Sequence, residues 1–172
     1  MDKNLEQRVG NHRCQANVDK SKMSGGERFI SDILENEGLN YKYEPRLCAE
    51  KTYNTPRGEK NYLRLYYPDF SIEDYGFMIE YIGKPDDPGY MAGVEEKRKV
   101  YEEMGIPVLY IQRDDVYRKV GEDKFVKRED AYNNVRWKIL YMAQKIRSQG
   151  IEESQINAHK VKDYKYKSRD AA

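Results

Sequence analysis

Two apolar runs held apart by four turn residues constrain this chain more than anything else in it. Residues 62–72 and 77–82 flank Glu73-Asp74-Tyr75-Gly76, and strand-length runs joined this way are expected to pair as an antiparallel hairpin. If Ile72 pairs with Phe77 across the turn, the ladder carries Asp69 opposite Glu80. Directly opposed side chains stand about 4.5–5.5 Å apart at Cβ, and like charges there are destabilising. Something must offset that repulsion: a bound cation, a shared proton or a buried arginine. The plain alternative is a carboxylate facing solvent at a sheet edge, and a one-residue slip of register would undo the pairing.

Around this hairpin the chain divides readily. Residues 1–23 are polar and without period, which predicts a flexible arm. Ser24-Gly25-Gly26-Glu27 has capping-box spacing, and Phe29, Ile30, Ile33 and Leu34 continue it as an amphipathic helix closed by Gly38, with Leu39 behind. Alternation over 41–48 predicts a strand, with Pro45 suggesting an edge or a bulge. Residues 50–60 form a polar loop on this reading, as do 84–89 with their two prolines and two aspartates. A helix over 90–104, closed by Gly105, leads into a short strand over 107–112 built on Val108, Leu109 and Ile111. After a charged connector, the stripe Val135, Ile139, Met142 and Ile146 predicts a last helix over 130–148. The order is α-β-β-β-α-β-α, an α/β fold with a mixed sheet and helices on its faces. One domain spans 24–150, and 151–172 reads as a basic, disordered tail.

Charged residues make up 35% of the chain and mean hydropathy is -1.02, so the core must come from these few segments. A net charge of +1 neither marks nor excludes a nucleic-acid binder, because local clustering matters more than the sum. Cys14 and Cys48 belong to no metal or disulfide pattern, which fits a reducing cytoplasm or a nucleoid. No apolar run is long enough to span a membrane, and residues 1–22 contain no apolar stretch of a secretory signal. The two histidines, His12 and His159, lie in the predicted tails, and no Ser/His or Cys/His arrangement suggests covalent catalysis.

The helix over 90–104 carries one notable charge. Tyr90, Val94, Lys97, Tyr101 and Met104 recur at helical spacing on one stripe, and Lys97 is its only charge, so it points towards the sheet or snorkels past the core edge. Lys99 sits among Glu95, Glu96, Glu102 and Glu103, the pattern of a solvated ion-pair face. Lys84 shares a strand face with Glu80 but lies beyond Gly83, so it ranks second. Glu27, at the third helical position, either satisfies backbone N–H groups or faces inward beside Ile30 and Leu34.

Pro68-Asp69-Phe70, followed by Glu80 within Phe77-Met78-Ile79-Glu80-Tyr81-Ile82-Gly83, resembles the PD-(D/E)xK nuclease superfamily. The resemblance covers about residues 27–112, in particular members with an Ile-Glu-Tyr-x-Gly strand and then Tyr, Lys and Tyr on the next helix, here Tyr90, Lys97 and Tyr101. It implies a restriction-endonuclease-like core, ordered α-β-β-β-α-β and followed here by a C-terminal helix. It also implies an endonuclease that hydrolyses DNA phosphodiester bonds with Mg²⁺ or Mn²⁺. Asp69, Glu80, the Tyr81 carbonyl and Glu27 would be its metal ligands. Ile82 stands where the family's lysine would be, so the catalytic set becomes Asp69, Glu80 and Lys97, the lysine having moved to the following helix. A catalytically inactive relative that binds DNA or a protein partner is the second reading. The third is a structural module in which Asp69 and Glu80 pair with arginines such as Arg64. DNA contacts are expected from Gln112, Lys84 and the tail residues Lys160, Lys162, Lys165 and Lys167, interleaved with Tyr164 and Tyr166. A merely solvated tail is the alternative there. Basic residues of the last helix, Arg136, Lys138, Lys145 and Arg147, meet few acids nearby in sequence. Cutting both strands of a duplex usually needs two sites, which suggests a homodimer.

Overall fold

A computed structural model describes residues 19–149 apart from position 123. Residues 1–18 of the arm predicted over 1–23, and the tail lysines 160, 162, 165 and 167, lie outside the described residues. In chain order the elements are α1 (Gly25–Asn36), β1 (Tyr41–Tyr43), β2 (Leu47–Thr55), β3 (Gly58–Tyr66), β4 (Phe70–Ile72) and β5 (Phe77–Ile82). Then come α2 (Pro88–Glu103), β6 (Val108–Gln112), α3 (Arg113–Val116), β7 (Tyr117–Lys119), β8 (Phe125–Lys127) and α4 (Ala131–Ser148). The fold is mixed α/β, with a four-stranded sheet ordered β1-β4-β5-β6. β4 runs antiparallel to both β1 and β5, and β6 lies parallel to β5.

The Ser24 cap forms as its spacing predicts: the hydroxyl accepts the Glu27 N–H at 3.3 Å, and the Glu27 carboxylate accepts the Ser24 N–H at 2.6 Å. Gly38, at φ 65°, turns the chain, and the Leu39 N–H closes onto the Leu34 carbonyl at 2.9 Å. Ordered structure starts before Ser24, however. The Asp19 side chain caps a short 3₁₀ turn, Lys20–Lys22, and Met23 is buried in the main core, so residues 19–23 are not the flexible stretch their polarity suggests. That core lies where α1 and α4 cover one face of the sheet, with Ile30, Ile33, Phe70, Ile72, Ile79, Val135 and Ile139 fully buried. A second cluster joins Leu47, Ala49 and Tyr66 to Val100 and Tyr101 of α2.

The central register is the predicted one, Ile72 opposite Phe77 and Phe70 opposite Ile79. The strand expected over 62–72 is nevertheless two strands. Tyr67-Pro68-Asp69 separates them, and Pro68 has no N–H to give a ladder. β3 pairs instead with β2, from Leu47 opposite Tyr66 out to Thr55 opposite Gly58. The polar loop expected over 50–60 is therefore the outer half of a two-stranded ribbon. Its turn is Pro56-Arg57, with Gly58 at φ 109°. Most of this half is exposed on both faces, so no apolar alternation marks it. The strand over 41–48 likewise divides, at Glu44 (φ 44°) and Pro45. The connector after β6 holds α3 and the β7–β8 hairpin. Among the described residues no helix is long and apolar enough to cross a membrane.

Candidate active site

The β4–β5 pairing decides where the two acids sit. Asp69 follows Pro68 and stands just beyond the last ladder pair, where its Oδ2 accepts the Tyr81 N–H at 2.6 Å. Glu80 faces away from Ile79, onto the side of the sheet covered by α2, and is only 4% exposed. The stripe on α2 meets it there. Lys97 Nζ donates to Glu80 Oε1 and Oε2 at 3.1 and 3.0 Å and to the Tyr67 carbonyl at 2.7 Å. The Tyr101 hydroxyl, itself buried, donates to Glu80 Oε1. Asp69, Glu80 and Lys97, which come from three separate segments, are thus assembled at one end of the sheet.

Burial and proximity oppose ionisation of both acids. Burial, then the negative charge of Glu80, pushes the Asp69 carboxyl up to about 7, against the pull of the Tyr81 N–H and Lys97. Burial also raises the Glu80 carboxyl above the usual range, although Lys97 and Tyr101 favour its charged form. Buried beside that carboxylate, the Tyr101 hydroxyl is held well above its ordinary value. Such a pair favours company from a proton or a cation.

Glu27 borders the site. Its Oε2 serves the Ser24 cap and accepts the Tyr43 hydroxyl at 3.3 Å, and its charge adds to the upward push on both Asp69 and Glu80. Capping and facing the acids are therefore not exclusive roles. The Tyr81 carbonyl accepts the Tyr90 hydroxyl at 2.9 Å, and that hydroxyl accepts the Gly83 N–H at 3.3 Å. These donors are hard oxygens, which suit Mg²⁺ or Mn²⁺ in kind. Two carboxylates and a carbonyl with a spare lone pair could hold such an ion. No cluster of three or more His, Cys, Asp or Glu side chains placed for a metal occurs among the described residues.

Other candidates stand apart. Gln112 ends β6 opposite Ile82, exposed, with its N–H bonded to Asp115 Oδ2 at 2.9 Å. Lys84 is exposed in the loop after β5. Arg64 does not reach the acids: it pairs with Glu96 at 2.6 Å, so the arginine-neutralised module loses that partner. Ile82 is buried at 1% exposure, and no lysine replaces it on the strand. The basic last helix is also less free than its local sequence suggests. Arg136 pairs with Glu37, which caps the C-terminus of α1, and Lys138 with Asp115 on α3, acids brought in from distant segments.

Three groups received no role from the sequence: the hydroxyls of Tyr101 and Tyr90, and the Tyr67 carbonyl. The tyrosines were within reach of argument, because a tyrosine on an inward stripe must find a partner for its hydroxyl. The Tyr67 carbonyl was not, because its position depends on the strand break at Pro68. No family model, no curated protein and no solved structure matches this chain.

Proposed function

We propose that this chain is a divalent-metal-dependent deoxyribonuclease built on a restriction-endonuclease-like core. One observation carries the reading: Asp69, Glu80 and Lys97 converge from a loop, a strand and a helix, with Lys97 Nζ 3.0 Å from Glu80. Mg²⁺ or Mn²⁺ bound by Asp69, Glu80 and the Tyr81 carbonyl, with Glu27 at its border, would polarise a phosphodiester and lower the pKa of a bound water. Lys97 places a positive charge where negative charge develops on a phosphate in hydrolysis. Its bond to the Tyr67 carbonyl keeps the ammonium at the site rather than in solvent. Tyr101 fixes the Glu80 carboxylate from behind. On this reading DNA is the partner, and a homodimer would let two such sites cut both strands.

The test is incubation with supercoiled, linear and branched DNA in Mg²⁺, Mn²⁺ or EDTA. Metal-dependent cleavage is expected, lost in Asp69→Ala and Glu80→Ala and strongly reduced in Lys97→Ala. Cleavage by Lys97→Ala at the wild-type rate would remove the lysine from the mechanism.

A second reading has its own support. Both oxygens of Glu80 already accept hydrogen bonds from Lys97, and Oε1 also accepts one from Tyr101. A carboxylate satisfied within the chain suits a catalytically inactive relative that binds DNA or a protein partner. That reading predicts binding with no cleavage under any metal.

A further inference from the structure

The β2–β3 ribbon sorts its residues by face. Directly paired residues of an antiparallel ladder share a face, so Lys51 with Tyr62 and Tyr53 with Lys60 lie together. Tyr53 and Tyr62 confirm the shared face by meeting edge to face, ring centroids 5.5 Å apart, while remaining 47% and 43% exposed. Both glutamates of the ribbon, Glu50 and Glu59, fall on the opposite face with Thr52, Asn54 and Asn61. At the base, Lys51 and Arg64 are tied to Glu103 and Glu96 of α2. Further out, Lys60 and the turn residue Arg57 form no ion pair among the described residues. The outer half of one face is therefore aromatic and cationic, and the acids lie behind it.

This ribbon leads straight into the candidate site. β3 ends at Tyr66, Tyr67 gives its carbonyl to Lys97, and Asp69 follows after Pro68. The five outer pairs, Lys51–Tyr62 to Thr55–Gly58, extend about 15 Å at the usual rise per strand residue. A two-stranded ribbon fits the major groove of duplex DNA, which is about 8.5 Å deep.

We infer that the β2–β3 ribbon is a duplex-gripping arm: Arg57 and Lys60 meet backbone phosphates while Tyr53 and Tyr62 lie against the groove. The identity of the polyanion rests on the nuclease reading above; the face and the residues rest on the ribbon itself. The arm holds substrate beside Asp69 without taking part in the chemistry.

The test is fluorescence anisotropy of a labelled duplex of about two helical turns, measured in EDTA over a salt series, so that binding is read apart from cleavage. Arg57→Ala/Lys60→Ala is expected to weaken binding at least tenfold at moderate salt and to lower the log–log salt slope by about two. Lys60→Ala/Asn61→Lys, which keeps the charge but moves it to the other face, is expected to bind no better than Lys60→Ala. These positions are exposed, so thermal unfolding should be unchanged and report that the fold is intact. If wild type binds and Arg57→Ala/Lys60→Ala loses it, the arm stands, even where no cleavage occurs and the nuclease reading falls. If that double variant binds like wild type, the arm is overturned, even where cleavage occurs and the nuclease reading stands. Absence of duplex binding by wild type, or tighter binding to single strands, also overturns it.

Discussion

Lys97 sets its ammonium against both carboxylate oxygens of Glu80, at 3.1 and 3.0 Å, across the gap between α2 and β5. Glu80 is only 4% exposed, so removing Lys97 leaves a buried charge with Tyr101 alone. Breaking a fully buried pair costs about 3–5 kcal/mol. The Lys97 side chain is 28% exposed, so water softens the loss, and Lys97→Met should destabilise the metal-free protein by about 1–3 kcal/mol. Urea unfolding at pH 8 measures it. In a double-mutant cycle, Glu80→Gln should cancel much of the Lys97→Met penalty; additive losses would show that the pair is not coupled.

The acid pair also predicts how metal-free stability depends on pH. Asp69 titrates near 7 in the folded chain against an ordinary 3.8, and Glu80 is raised as well. Between about pH 4 and 7 the folded chain thus holds protons that the unfolded chain has released, and unfolding free energy falls as pH rises through that window. The contribution of Asp69 is unfavourable in full above pH 7 and absent below pH 4. Asp69→Asn should flatten this part of the curve. On the metal-binding reading a cation displaces the proton held by Asp69, so Mg²⁺ should raise Tm more at pH 8 than at pH 6. Parallel pH curves for wild type and Asp69→Asn would contradict the coupling.

Gly26 makes a different kind of test. A methyl group there would overlap the Tyr81 ring, whose backbone N–H holds Asp69. Gly26→Ala should cost about 1–3 kcal/mol by overpacking and weaken any activity along with stability. At Gly25 the added carbon would lie 3.0 Å from the Tyr117 hydroxyl, the movable end of a side chain. Gly25→Ala should therefore be milder, and thermal denaturation of the two variants side by side checks the order.

What was legible in the sequence follows from where burial is one-sided. Turn length and apolar pattern placed Ile72 opposite Phe77, and with it the neighbourhood of Asp69 and Glu80. The stripe through Val94 and Tyr101 turned Lys97 inward because α2 has one buried face. The outer β2–β3 ribbon gave no such signal. Its outer pairs are held by backbone hydrogen bonds and exposed side chains, so a polar run looked like a loop. The break at Pro68 was hidden for the reverse reason: Tyr66 and Phe70 are both buried, but in different cores. Partners from distant segments, such as Glu37 for Arg136, leave no local trace at all.

The most direct measurement is cleavage of supercoiled plasmid in Mg²⁺ by wild type, Asp69→Ala and Glu80→Ala, with EDTA as control and each variant first shown to be folded. Nicked or linear product from wild type alone, abolished by EDTA, is the predicted result. Equal cleavage by all three proteins, or none by wild type in Mg²⁺ or Mn²⁺, would contradict a nuclease centred on these two carboxylates.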